Sequence, residues 1–234
     1  MRTLVVTPMT REARAAAPDA FVCGSRHAAA RVLAHLDRQP ADIVLIAGVC
    51  GGLDPSLAPG ALILGRRLLA EGKPELTPHT AAFDAARRAM RRARLPFVSS
   101  SLLTVDHPIE SVAARTDAWN AYGAAGVDME TYDIASALTE HNVRWLALRA
   151  VLDPAGFTLP RAVRAWSEEQ DERQIARTAL RSPRDWPAYA RLALQLRASL
   201  RALSRAVPVA RTALDATVAS PDLTLPMTPA PTHT

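Results

Sequence analysis

Asp42–Pro55, DIVLIAGVCGGLDP, decides the fold. Its first six residues, Asp42–Ala47, are a nearly unbroken apolar run, as in a strand covered on both faces. Gly48, Gly51 and Gly52 then crowd into five positions. This predicts a strand ending at Ala47 and a glycine-rich turn whose backbone can approach a ligand closely. The spacing matches neither a dinucleotide-binding fingerprint nor a phosphate-cradling P-loop.

Working outward, strand and helix patterns alternate. Thr3–Thr7, Ala61–Leu69, Phe97–Thr104, Gly126–Met129 and Arg144–Leu152 read as further strands. Residues 26–38, 79–94, 131–141, 160–180 and 186–206 read as helices. The alternation predicts an α/β fold, a three-layer α/β/α sandwich around a mixed, largely parallel central sheet. Residues 1–207 form one domain in this reading. The Pro/Thr-rich end, 208–234, is expected to be disordered or loosely attached.

Composition sets outer limits. A chain of 234 residues, 49% hydrophobic, suits one domain with a sizeable core. No apolar run approaches the roughly 20 residues that span a bilayer. MRTLVVTPMTRE at the start reads as a first strand, not a signal peptide. Two cysteines, Cys23 and Cys50, give no disulfide framework, so a reducing cytoplasm is expected. The six histidines lack metal-ligand spacing, and no metal site is expected. The net charge of +5 is uneven: nine arginines face one acid, Asp185, between Arg173 and Arg211. Such a segment can attract anions or be a solvated helix face.

In folds of this class ligands bind at the carboxyl ends of strands, so the acids found there carry the chemical reading. Glu12 follows the first strand, Asp128 and Glu130 end another, and Asp153 ends the last. Each has a structural role open to it: a first-turn residue, a helix cap, a turn before Pro154. Occurring together, they also suit a site that binds hydroxyls and moves protons.

The combination of motifs resembles the purine nucleoside phosphorylase and methylthioadenosine/S-adenosylhomocysteine nucleosidase superfamily. GVCGGLDPSLAPGALIL is similar to its glycine-rich segment, VDMETYDIA to its V-E-M-E segment, LRAVLDPAG to its R-A-I-S-D segment, and MTREA to the start that carries a nucleosidase glutamate. These occur in family order across residues 1 to 156. Within the superfamily, LDPAG, the short N-terminal half and the Arg/Leu-rich helix after PRDWP most resemble the hopanoid-associated phosphorylases, implicated in removing adenine from adenosylhopane.

The resemblance implies cleavage of the N-glycosidic bond of an adenine nucleoside. A nucleosidase acting on methylthioadenosine, S-adenosylhomocysteine or futalosine is the alternative among enzymes, and a non-catalytic nucleoside-binding or membrane-associated protein is the alternative of another class. Asp153 then gives a proton to purine N7, Glu130 binds the ribose 2′- and 3′-hydroxyls, and Met129 packs on the sugar. Asp128, Gly48, Val49, Gly51 and Ile109 complete the substrate-binding set, with His107 near the base. Glu12 corresponds to the glutamate that activates water, and Arg11 and Arg26 are candidate phosphate ligands. No cofactor is implied; inorganic phosphate can serve as co-substrate, and the subfamily likeness favours it over water. Ile46 and Val49 stand where phosphorylases carry an arginine and a serine, and Leu152 where nucleosidases carry a serine. The chain is about a β-hairpin short between Glu12 and Gly48, which would open the sugar end of the pocket to a bulky 5′ substituent. A homo-oligomer is expected by the same resemblance, and no nucleic-acid partner.

The last helix has two readings. Trp186, Tyr189, Leu192, Leu196, Leu200 and Leu203 recur on one face, flanked by Arg191, Arg197, Arg201 and Arg205. The stripe can lie on an anionic membrane, giving peripheral contact with the inner membrane, or pack against the sheet.

Overall fold

The computed structural model describes residues 2–158 and 186–218. In order it contains β1 (Thr3–Thr7), α1 (Thr10–Ala16), β2 (Phe21–Val22), α2 (Ala28–Arg38), β3 (Ile43–Gly52), β4 (Leu62–Ala70) and α3 (Thr80–Arg92). Then follow β5 (Phe97–Thr104), α4 (Val112–Tyr122), β6 (Ala124–Asp128), α5 (Thr131–Glu140), β7 (Arg144–Asp153) and α6 (Trp186–Val218). The expected helix over 160–180 lies outside the described residues.

The apolar runs form central strands because successive side chains point to opposite faces and both faces are covered. In β3, Val44 and Ile46 join the cluster that includes Val32 and Leu36 of α2 and Ile134 and Leu138 of α5. Ile43, Leu45 and Ala47 enter the opposite cluster with Ala86 and Met90 of α3 and Leu203, Val207 and Leu214 of α6. The β7 strand divides likewise, Trp145 and Ala147 on one side, Leu146 and Leu148 on the other.

The strand order is β2-β1-β3-β6-β5-β4-β7, and β7 also pairs with β3. Strands β3, β6, β5, β4 and β7 therefore close into a ring, with β1 and β2 extending it from β3. The sheet is mixed and mostly parallel, as expected; the antiparallel pairs are β3–β6 and β4–β7. The closure brings the ends of β3, β6 and β7 to one place, with Gly51 opposite both Val127 and Asp153.

Two sequence expectations need correction. The first strand of the glycine motif does not stop at Ala47. It continues to Gly52 because β7 pairs with it along its length, and Gly48, Gly51 and Gly52 are strand residues without positive φ. The chain also does not loosen at Pro208: α6 passes through it to Val218. A mid-helix proline costs about 3 kcal/mol. Beyond it, however, Ala210 and Leu214 are fully buried, and the Asp215 carboxylate accepts a hydrogen bond from Thr3 N at 3.0 Å. A buried leucine contributes about 1.5–3 kcal/mol, so packing offsets the missing hydrogen bond. Residues 219–234 lie outside the described part.

The stripe on α6 packs on the core at its C-terminal end, where Leu203 is buried. Tyr189, Leu192, Leu196 and Leu200 are half-buried, while Trp186 and Leu194 are exposed. No described helix is long and apolar enough to cross a membrane.

Candidate active site

The ends of β1, β2, β3, β6 and β7 surround a cavity of about 390 Å³, within the size range of small-molecule sites. Its wall includes Glu12, Val49, Gly51, Ile109, Asp128, Met129, Glu130 and Asp153. The carboxylates that the sequence scatters from Glu12 to Asp153 thus meet in one place.

Glu12 comes from the first turn of α1. Its Oε2 accepts from Met9 N at 2.8 Å and its Oε1 from Val49 N at 2.7 Å. It is at once a helix-capping residue and a fully buried acid on the cavity wall. Burial pushes its pKa from 4.5 up to about 7, against the pull of Arg149 and the two amides. Glu130, at the start of α5, is raised in the same direction, first by burial and then by the neighbouring Asp128 charge. The Ser25 side chain hydrogen-bonds Glu130 from the turn before α2. Gly24, at φ +70°, allows that turn.

Arg149 lies beneath these acids, fully buried on β7. Its Nε is 2.9 Å from Asp128 Oδ2, and its Nη2 is 3.9 Å from Glu130 Oε2. Burial works against its charge, but Asp128, Glu130 and Glu12 together outweigh that and hold it protonated. Gly48 makes room for the arrangement. A Cβ there would run into the Arg149 guanidinium and stand 2.9 Å from Glu12 Oε1.

Asp128 lines the cavity, but its oxygens are engaged. Oδ1 accepts from Thr104 Oγ1 at 2.8 Å and Thr131 N at 3.1 Å; Oδ2 meets Thr131 Oγ1 and Arg149. It braces the start of α5, the capping role available to a strand-end carboxylate.

Asp153 closes the other end. Burial raises its pKa, while Arg115 of α4 pulls it back. The Arg115 guanidinium is fully buried and bonds Asp153 Oδ2 directly. Gly51 sits against this pair, its Cβ position 3.6 Å from Asp153 Oδ2.

Of the residues named from sequence, Glu12, Val49, Gly51, Ile109, Asp128, Met129, Glu130 and Asp153 share the cavity. Four residues depart from expectation. Gly48 lies under the wall, screened by Glu12 and Arg149. Arg11 lines a separate surface groove with Leu196, Leu200 and Arg201 of α6, because α1 turns Glu12 inward and its neighbour outward. Arg26 and His107 are not on the cavity wall; Arg31, one turn into α2, is. Sequence reasoning missed Arg115 and gave Arg149 no role. An arginine inside the apolar run LALRAVL does carry a signal, since a charge buried there requires acidic partners.

Residues 3–182 match the Phosphorylase superfamily. The chain belongs to that superfamily. The expectation of an enzyme of this class therefore holds. The fold is shared with futalosine hydrolase of Helicobacter pylori, at 11% identity and a TM-score of 0.68 over 90% of this chain and 97% of that one. The 5′-methylthioadenosine/S-adenosylhomocysteine nucleosidase of Neisseria meningitidis, in complex with methylthio-immucillin-A, gives 16% identity and 0.67 over 90% and 98%. The Campylobacter jejuni nucleosidase gives 13% and 0.65 over 91% and 99%. No curated protein sequence matches significantly.

Proposed function

We propose that the protein cleaves the N-glycosidic bond of an adenine nucleoside, with Asp153 as general acid, Glu130 as ligand of the ribose diol and Glu12 as general base. One observation carries the reading. Strand β3 holds Glu12 against Gly48 and Asp153 against Gly51. The two glycines lie three residue steps apart on β3, roughly 10 Å of strand, and both acids stand on the wall of one cavity, a span suited to a nucleoside with its base at one end and its sugar at the other.

In the reaction the C1′–N9 bond breaks, its electron pair passes to the purine, and Asp153 delivers a proton to N7. The ribose becomes cationic as the bond lengthens, and the acids around Arg149 stabilise that charge in a buried site. A nucleophile then bonds to C1′. Glu12, poised near neutrality, is suited to take the proton of an attacking water. Arg11 and Arg26 stand away from the wall, so phosphate gains no support through those two residues, although Arg31 does line it. We take water as the nucleophile on the strength of Glu12, where the subfamily resemblance favours phosphate.

For the substrate we infer an adenine nucleoside with an apolar 5′ substituent, adenosylhopane in the reading the resemblance favours. Pro8, Met9 and Val22 form an apolar rim to the cavity, and Val22 is 36% exposed, so a large group can leave the pocket there. A small 5′ group, as in methylthioadenosine, would fit the same opening.

The test is base release from adenosylhopane, methylthioadenosine, S-adenosylhomocysteine and futalosine, each with and without phosphate. The reading expects adenine and free sugar product whether or not phosphate is present. A sugar 1-phosphate product, with strict dependence on phosphate, would overturn the assignment of water. Release from the small nucleosides but not from adenosylhopane would overturn the substrate. Silence across the panel would refute the reading as a whole.

A further inference from the structure

Arg115 makes more connections than an ion pair requires. From α4 its Nε donates to Ile109 O at 3.1 Å. Nη1 donates to Asp153 O at 3.0 Å, and reaches Pro154 O at 3.3 Å and Gly52 O at 3.4 Å. Nη2 bonds Asp153 Oδ2. One planar fork thus joins the loop between β5 and α4, the end of β3, and both the backbone and the carboxylate of Asp153. A guanidinium offers five N–H donors in fixed directions; an ammonium on a flexible stem cannot reproduce that pattern. Val105, Pro108 and Ile109 of the same loop stand on the cavity wall at the Asp153 end.

We propose that Arg115 is the positioning residue of the acid: it holds Asp153 by Oδ2, leaves Oδ1 to exchange a proton with the base, and locks the 105–111 loop to the acid as one rigid unit. This rests on the reading of Asp153 as the proton donor. A ligand's base would then meet an acid and a wall that move together, and disturbing either disturbs both.

The charge of Arg115 also sets when Asp153 carries its proton. Among the described residues, the groups around Asp153 are Arg115 from α4 and the buried Cys50 thiol from β3, with Asp128 and Arg149 beyond Cys50. From α6, which packs on β7, the nearby polar groups are the neutral Ser199, bonded to Val151 O at 2.7 Å, and Gln195. Among the described residues, Arg115 is therefore the cation directly opposing burial at this carboxyl. Burial raises the Asp153 pKa and Arg115 lowers it, so removing the cation lets Asp153 keep its proton to higher pH.

The test uses Arg115→Gln, which removes the charge, and Arg115→Lys, which keeps the charge but loses the fork. The Asp153 carboxyl is titrated directly by ¹³C NMR of Asp-labelled protein, with Asp153→Asn for assignment; this needs no turnover. In Arg115→Gln the Asp153 titration should move up by about one to three pH units, the range for loss of an adjacent opposite charge. The alkaline limb of kcat/KM for an adenine nucleoside should move with it. In Arg115→Lys that limb should stay in place while kcat falls about tenfold or more with little change in KM, the mark of lost alignment. An Asp153 titration unmoved in Arg115→Gln, or native kcat in Arg115→Lys, would overturn the proposal. If Arg115→Gln does not fold, Arg115→Lys alone decides it by the same kcat criterion and by the unmoved Asp153 titration. If the native protein releases no base from any nucleoside while the titration shifts as stated, the hold of Arg115 on Asp153 stands and the proposed reaction falls.

Discussion

Replacing Glu12 with glutamine should make the protein more stable, relative to native, as pH rises. Glu12 is 1% exposed, and burial raises its pKa from 4.5 to about 7. The folded state therefore binds this proton more tightly than the unfolded state does. The stability this confers is fully present below pH 4.5 and is lost as pH rises through about 7. A shift of this size corresponds to about 3 kcal/mol over the whole range, of which about 2 kcal/mol falls between pH 5.5 and 8.5. The substituted amide cannot ionise, so the variant escapes that loss. It incurs a different one: Met9 N and Val49 N both donate to the native carboxylate, and an amide offers one carbonyl oxygen for the two. That penalty, about 1–3 kcal/mol, does not depend on pH. The assay is urea unfolding of both proteins at half-unit steps from pH 5.5 to 8.5, and the quantity of interest is the difference in unfolding free energy. Every other titrating group contributes to both proteins and cancels to first order. The difference should move by about 2 kcal/mol in favour of the variant across this range. A flat difference would mean that Glu12 titrates in its ordinary range, and it could then not serve as a base poised near neutrality.

Asp153→Asn should retain the fold and lose about 10²-fold or more in base release, and near-native turnover would remove Asp153 from the mechanism. A 2′-deoxy nucleoside should lose much of its kcat/KM with native protein but little further with Glu130→Ala, because both changes delete one interaction; additive losses would contradict the diol assignment. Gly48→Ala should lower stability by about 1–3 kcal/mol, read as a drop in Tm, since its methyl must displace the Arg149 guanidinium or Glu12; an unchanged Tm would show that the wall can give way freely.

The strands were legible because a sheet covered on both faces needs continuous apolar runs, and Phe97–Thr104 matches its sequence reading residue for residue. Elements that carry little periodic signal were not. Helix α1 spans only seven residues. Helix α4 distributes apolar and polar residues around its whole circumference, and β2 has two residues. The glycine segment was placed but misread in form: glycine has no side chain to register a strand, and only the pairing with β7 reveals one. The acids were legible as candidates because they follow strands. Their cations were not, because an arginine in an Arg-rich chain does not stand out, and which of them turns inward is set by packing. Arg11 and Arg31 illustrate this, the first facing a surface groove and the second facing the cavity.

Helix α6 has a consequence for how the protein is made. Leu203, Ala206, Val207, Ala210 and Leu214 cover a sheet face built by Val5, Ile43, Leu45, Leu62, Leu64, Leu146 and Leu148. Asp215 reaches back to Thr3 across 212 positions. During synthesis every described strand has been made before the helix that covers this face. Until α6 emerges the nascent chain therefore carries an oily sheet surface, and such apolar faces are prone to association. Ribosome-bound chains stopped near residue 190 should engage holdase chaperones or precipitate when released. Extending the same chain until residue 218 has cleared the ribosome should release it from them, because α6 can then cover the face.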